Sequence, residues 1–414
     1  MKLRTAVLNL VLAFTLAAPL LTPTIAKAEG MASCDGTYHW VDVQGTESLD
    51  GTGTGIQYIC LNGFVNGPLL IHIEGSAACF NGDTCDCQPD AYGNCLGQNS
   101  TIAYNHLDVI ESFNGQRFGQ ENSPNVSVTL FGQTAAYAGP TSPFTGGNGT
   151  PFNFVMIPST TGDAFMGNTV QNYTTSDGRA VVAHHVGYKN VTLDLLAIKR
   201  LFPNPSKVVV WGNSSGAVGA DCNLLKFRLA WPVAGMWEMN SAGPSYGADN
   251  LMPLVSSVAR TWGAWRPGPN NAIVELTCPI LPGGSPHWNV EWVKSFNAVA
   301  LSDVRKAFTD DYFDQTAQFF ACLFGAAVDP DGTCTSAVTS TLKDEFADVI
   351  SNAPNYKVYY HSGICHTERE ADGNTVAGGS DPSCDYDNMQ QGGVYFHDWV
   401  NAWINNGPEW VNIR

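Results

Sequence analysis

The sequence predicts an α/β fold, a mostly parallel sheet with helices on both faces, built as a single domain with large disulfide-linked loops. Three observations carry that expectation. Short apolar runs ending in Gly or Pro alternate with segments whose apolar residues recur every three and four positions. Strands that alternate with helices pair in parallel, because a crossover helix returns the chain to the same edge of the sheet. No charge run, repeat or long linker divides the chain.

The elements follow in chain order. Residues 1–28 read as a cleaved signal peptide: Lys2 and Arg4 lead an apolar run, Ala6–Leu21, and Ala26 and Ala28 have the spacing of a cleavage site. Residues 29–414 then form the domain. No later stretch of 18 apolar residues follows, so no membrane span is expected. "LLIHIEG" (69–75), "FVMIP" (154–158), "KVVVWG" (207–212) and "KVYYHSG" (357–363) read as strands. "VTLDLLAIKRLF" (191–202), "DQTAQFFACLFG" (314–325) and "YFHDWVNAWINN" (395–406) read as helices. The Gly-, Pro- and Thr-rich stretch 136–153 reads as a surface loop, since a strand pattern resumes directly after it.

The chain has 12 cysteines, an even number. In an exported protein that predicts disulfides rather than a metal site. The group Cys79, Cys85, Cys87 and Cys95 lacks the CxxC pairs or partnered His of a zinc site. Asp83, Asp86 and Asp90 around it do not match a calcium loop either, and a cross-linked surface loop is the plainer reading. No metal and no cofactor is expected.

Charge narrows the partners. Formal net charge is −17, and loss of Lys2, Arg4 and Lys27 with the leader deepens it to about −20. Such a surface repels nucleic acid and anionic membranes, and it mildly disfavours a strongly polyanionic substrate because like charges slow the encounter. Charged residues make up only 14%, against 42 Gly and 11 Trp, which fits a rigid exported enzyme or binding protein and not a disordered chain. Trp262, Trp265 and Trp288 are candidates for a sugar-stacking surface, with core packing the favoured assignment.

The chemistry centres on "KVVVWGNSSGAVGADC". Gly212 and Gly216 flank Ser214 at G-x-S-x-G spacing, directly after a β-branched run. That spacing suits a nucleophile on a sharp strand-to-helix turn, where neighbouring backbone packs too closely for side chains. Ser215 would offer its backbone N–H to an oxyanion. A serine nucleophile needs a base and an orienting acid, in the chain order Ser, acid, His. Asp310, Asp311 and Asp314 follow it, and so do His361, His366 and His397. His397 lies inside the last amphipathic segment and reads as structural. His361 and His366 lie where a strand runs out into a loop.

Several stretches together resemble the pectin acetylesterase/Notum family of serine carboxylesterases. The elbow is similar to that family's G-x-S-A-G-G. "IEGSAACFN" (73–81) resembles its Gly-rich oxyanion segment, and "IPSTTGDAFMGN" (157–168) its Pro…Asp…Gly segment. "HHVGYKNVTLDLL" (184–196) resembles the His-x-Gly-Tyr-x-Asn stretch before the elbow strand, and "GICHT" (363–367) the loop of the catalytic His. These matches run in family order over residues 60–367.

The resemblance implies an α/β-hydrolase-like fold with Ser214 as nucleophile, His366 as base and Asp314 as acid. His361 and Asp311 are the reserves, with Asp310 behind them. Backbone N–H groups of Ser76, Ala77 and Ser215 would form the oxyanion hole. The expected substrate is a short acyl ester, acetyl first, on an extracellular polysaccharide, cleaved by a monomer in the periplasm or outside the cell. Ser76 and Ala77 replace the family's Gly and aromatic residue, which keeps other esters open: polyester, glycoside ester or acyl-protein. An inactive binding protein on the same scaffold is the remaining alternative.

Overall fold

The computed structural model describes residues 31–51, 53–75, 78–86, 143–144, 151–243, 261–267, 273–275, 301–314, 344, 347, 353–363, 365, 386 and 388–414. The expected signal peptide and most of the 314–325 segment lie outside them.

Among the described residues fourteen strands run in chain order: β1 (Tyr38–Asp42), β2 (Gly55–Ile59), β3 (Leu69–Ile73), β4 (Asn153–Ile157), β5 (Thr169–Thr174), β6 (Ala180–His185), β7 (Lys207–Asn213), β8 (Gly235–Ser241), β9 (Trp265–Pro267), β10 (Ile273–Glu275), β11 (Val304–Asp311), β12 (Tyr356–His361), β13 (Gln390–Gln391) and β14 (Val394–Tyr395). Four helices are described: α1 (Gly82–Cys85), α2 (Gly187–Leu201), α3 (Ser215–Ala230) and α4 (Phe396–Asn405).

Eight strands form one mixed sheet in the order β1-β2-β4-β3-β7-β8-β11-β12. From β4 to β12 every neighbouring pair is parallel, and β2 alone runs against its neighbours. The expected α/β class is therefore observed. The central strands are buried along their length, with "LLIHI" and "NFVMI" wholly so. Parallel strands covered on both faces need such unbroken apolar runs.

Alternate residues feed two cores. Ile71, Ile73, Val208 and Val210 pack with Val191, Leu195 and Ile198 of α2 and Leu224 and Phe227 of α3. Leu70, Val209, Trp211 and Met239 face the other way, against Trp399, Val400 and Trp403 of α4. Truncating a fully buried Trp such as Trp403 to Ala costs about 3–5 kcal/mol.

Two elements depart from expectation. Helix α2 starts at Gly187, before the amphipathic pattern begins, because the Asp163 carboxylate accepts the Gly187 N–H at 2.8 Å. The stretch holding Asp310 and Asp311 was expected only as acids ahead of a helix. It is strand β11, with both aspartates as its last residues. Arg305 and Lys306 disguise the strand, and Lys306 is buried at 1% exposure against carboxylates from α3 and β8.

Two disulfides lie within the described residues, Cys34–Cys60 and Cys79–Cys85. Cys222 and Cys365 are also disulfide-bonded. The Cys79–Cys85 bridge removes both thiols from any zinc site. Asp83 accepts the Ser176 N–H at 2.7 Å and Asp86 pairs with Arg179, so both acids brace a cross-linked loop. Cys87, Cys95 and Asp90 lie outside the described residues. No helix among those residues is long and apolar enough to cross a membrane.

Candidate active site

Strand β3 and strand β7 are sheet neighbours, but the chain leaves them in opposite directions, to β4 on one side and β8 on the other. At such a reversal the connections diverge and leave a crevice beyond the carboxyl ends of the strands. Ser214 sits at that point, directly after β7 and capping α3.

Its backbone is strained, with φ 53° and ψ −123°. A non-glycine residue at positive φ costs on the order of 1–3 kcal/mol and persists only where surrounding packing enforces it. Here the packing is backbone on backbone. A Cβ on Gly212 would overlap the Gly216 carbonyl, and one on Gly216 would overlap the carbonyls of Ile73 and Glu74. One on Gly75 would overlap the Asn213 carbonyl. The Ser214 N–H donates to Ser241 O at 2.8 Å, which ties the turn to β8. The G-x-S-x-G spacing thus has a steric cause.

Ser215 opens α3, where the helix dipole favours negative charge. Ser76 and Ala77 lie outside the described residues, but both ends of their loop are fixed. Glu74 N–H donates to Ile157 O at 3.1 Å, and Glu74 Oε2 accepts the Ser159 N–H at 3.0 Å. Beyond the gap, the Cys79 N–H donates to Gly162 O at 2.8 Å, and Trp262 Nε1 donates to Cys79 O at 2.7 Å. Trp262 is 4% exposed and is a core residue, as favoured. Of Trp265 only the backbone is described, and Trp288 lies outside. Burial pushes the Glu74 carboxyl up to about 7.

The Pro…Asp…Gly segment is a wedge beneath the elbow helix. Asp163 accepts from Thr161 Oγ1 at 2.8 Å, Phe165 N at 3.0 Å and Gly187 N at 2.8 Å. Burial pushes its carboxyl up to about 6 against those bonds. Phe165, itself at φ 60°, packs where a side chain on Gly219 of α3 would stand. His185 Nδ1 donates to Thr161 O (3.1 Å), and burial depresses the ring's pKa to about 4, so it is neutral at pH 7 and its Nε2 accepts from Tyr173 Oη (2.9 Å).

The acids lie on the same sheet edge as Ser214. Asp310, Asp311 and Asp314 are 6%, 2% and 0% exposed, at and just past the end of β11. Asp310 Oδ1 accepts the Asp311 N–H at 2.8 Å, which turns it toward backbone. His361 ends β12, and its Nδ1 meets Asp311 Oδ1 at 3.0 Å. The other oxygen of Asp311 accepts the Cys365 N–H at 2.7 Å. A Cβ on Gly363 would overlap that oxygen, so the turn 361–365 wraps the carboxylate closely. Burial raises the Asp311 pKa, and the His361 bond opposes the rise. His366, the next residue after Cys365, lies outside the described residues. His397 is on α4, 3.4 Å from Asp398.

Ser214, the three aspartates and His361 therefore gather at the carboxyl ends of β7, β11 and β12. Strand β8 alone separates β7 from β11, an offset of about 10 Å at the usual strand spacing. The Asp311–His361 hydrogen bond is the one acid–histidine contact described at this edge. Sequence reasoning held both residues only in reserve, though Gly363, two positions after His361, signals the close turn. No protein-family model and no curated protein matches the chain.

Proposed function

We propose that the protein is an exported serine carboxylesterase of α/β-hydrolase-like fold that removes short acyl groups, acetyl first, from an extracellular polysaccharide. The observation that carries this reading is the strained Ser214 backbone, locked between a parallel strand and a helix by three glycines that leave no room for a Cβ. Supporting it, the loop after the third strand presses on the elbow where this fold class draws an oxyanion donor. Serine, acid and histidine also follow the chain order of that class. Export rests on the leader pattern and agrees with the disulfides. The acetylated polysaccharide rests on the family resemblance alone.

In this mechanism the base takes the Ser214 hydroxyl proton as Oγ attacks the ester carbonyl. Backbone N–H groups of Ser215 and of the 76–77 loop hold the oxyanion. The base returns the proton to the departing alcohol, leaving an acyl-serine. Water attacks this ester by the same route, freeing the acid and restoring Ser214.

The resemblance assigns His366 as base and Asp314 as its acid. A second assignment, His361 with Asp311, is favoured by their 3.0 Å hydrogen bond, since a base oriented by a carboxylate is what the chemistry requires. Turnover of a p-nitrophenyl ester series by wild type, Ser214→Ala, His366→Asn and His361→Asn tests function and assignment together. Acetate and butyrate turnover lost in Ser214→Ala and His366→Asn, and retained in His361→Asn, supports the first assignment. Loss in His361→Asn with retention in His366→Asn selects the second. A long-chain preference keeps the mechanism and replaces the substrate. Equal, negligible rates in all four proteins remove the esterase reading.

A further inference from the structure

The opposite edge of the sheet carries a row of cations. Lys207 opens β7, and Arg305 and Lys357 are the second residues of β11 and β12. They lie two positions before Val209, Ala307 and Tyr359, so all three project on the α4 face. Trp237 of β8 pairs in register with both Val209 and Arg305 and joins the row. Lys207 Nζ lies 5.1 Å from the Trp237 ring centroid, Arg305 Cζ 3.9 Å from that of Trp410 and Lys357 Nζ 5.9 Å from the same ring.

Among the described residues no carboxylate pairs with any of the three, in a chain with 37 Asp and Glu. Asp303 is nearby but is taken by Arg228. The charge of Arg305 adds to burial in depressing the Lys357 pKa, so the row repels itself. An anion along it would relieve that repulsion.

The row borders two cavities on either side of the α4 terminus. One, of about 410 Å3, is lined by Lys207, exposed Phe64 and Asn405; the other, of about 430 Å3, by Arg305, Trp237 and Asn406. Asn66 and Asn405 are exposed side-chain amides, groups that both donate to and accept from hydroxyls, while the exposed Asn406 accepts from Arg305 through its Oδ1. Two successive hollows over adjacent strands suit an elongated ligand, hydroxyl-rich for the amides and carboxylated for the cations.

We infer that this groove, at the amino ends of β7, β8, β11 and β12, binds a carboxylate-bearing polysaccharide chain and anchors the polymer away from the catalytic edge. The inference takes its polymer class from the function proposed above, and is tested without turnover. The probe is affinity gel electrophoresis of the full-length Ser214→Ala protein in carboxymethyl cellulose and in hydroxyethyl cellulose, which differ in charge on one backbone. Retardation in the first gel alone, weakening with salt, is expected. Replacing Lys207, Arg305 and Lys357 together by Gln should weaken it roughly ten-fold, since each cation contributes through charge. Lys189→Gln on α2 should leave it unchanged. With Ser214 intact, the triple variant should keep p-nitrophenyl acetate turnover, so an inactive parent would count against the esterase and not against the groove. Thermal melting checks the fold, with Lys207→Gln alone as the substitute for an unfolded triple variant. No retardation, equal retardation in both gels, or equal retardation of parent and variant would overturn the inference.

Discussion

Gly75 lies so close to Asn213 that a Cβ on the glycine would overlap the asparagine carbonyl oxygen and come within 3.0 Å of Ser214 Cβ. The loop after β3 and the elbow after β7 are thus one packed unit. Gly75→Ala must push the two apart and misplace the oxyanion donors. Loss of one such donor costs about 10²–10³ in kcat. We expect a fall of that order with KM for p-nitrophenyl acetate little changed, measured by steady-state kinetics. A variant as active as wild type would separate the loop from the site.

Strain at Ser214 gives a prediction of opposite sign for stability. Glycine adopts φ 53° without the Cβ penalty. Ser214→Gly should therefore raise stability by about 1 kcal/mol while abolishing turnover. Denaturant unfolding reads the first and ester hydrolysis the second. A destabilised Ser214→Gly protein would mean the strain is not present in solution.

Buried carboxyls set the pH dependence. Glu74 is pushed from 4.5 up to about 7 and Asp163 from 3.8 up to about 6, both mainly by burial. Folded pKa values above the unfolded ones mean that the native state holds these protons more tightly. Their contribution is complete below pH 4 and declines as pH rises towards 7. Glu74→Gln keeps an acceptor for the Ser159 N–H and removes the titration. It should flatten the decline between pH 5 and 8 by roughly 1–3 kcal/mol in urea unfolding. An unchanged slope would show that Glu74 titrates normally in the folded protein.

Lys306 is the third stability test. It sits between Asp221 Oδ1 at 2.5 Å and Glu238 Oε2 at 3.4 Å; burial, opposed by Lys306 and helped by Asp221, pushes Glu238 up to about 8. Lys306→Met strands the Asp221 charge beside a buried acid and should cost about 3–5 kcal/mol. Adding Asp221→Asn and Glu238→Gln should recover much of the loss. Equal stability of Lys306→Met and wild type would contradict the network.

Much of this was legible in the sequence because local chemistry and global fold agree there. "KVVVWGNSSG" states both a buried strand and a turn with no room for side chains, and a strand and a strained strand-to-helix turn are found at those residues. The α4 segment kept its amphipathic pattern and its boundaries to within one residue. Strand β11 was not legible as a strand, because "VRKAFTDD" buries Lys306 through partners that are distant in sequence. The contact between Asp311 and His361 was hidden for the same reason: 50 residues separate them, and sheet register alone brings them together. The strand that ends on His361 was legible in "KVYYHSG", but its register against β11 was not, and the family resemblance ranked His366 first.

The central claim is that Ser214 is a nucleophile. The most direct measurement is exposure of the oxidised, folded protein to a serine-directed alkyl phosphonate, followed by mass spectrometry of the peptides. The account predicts one adduct, on Ser214, formed with loss of esterase activity and absent in Ser214→Ala. An unmodified Ser214 in a folded protein, or an adduct on another residue that tracks the loss of activity, would contradict it.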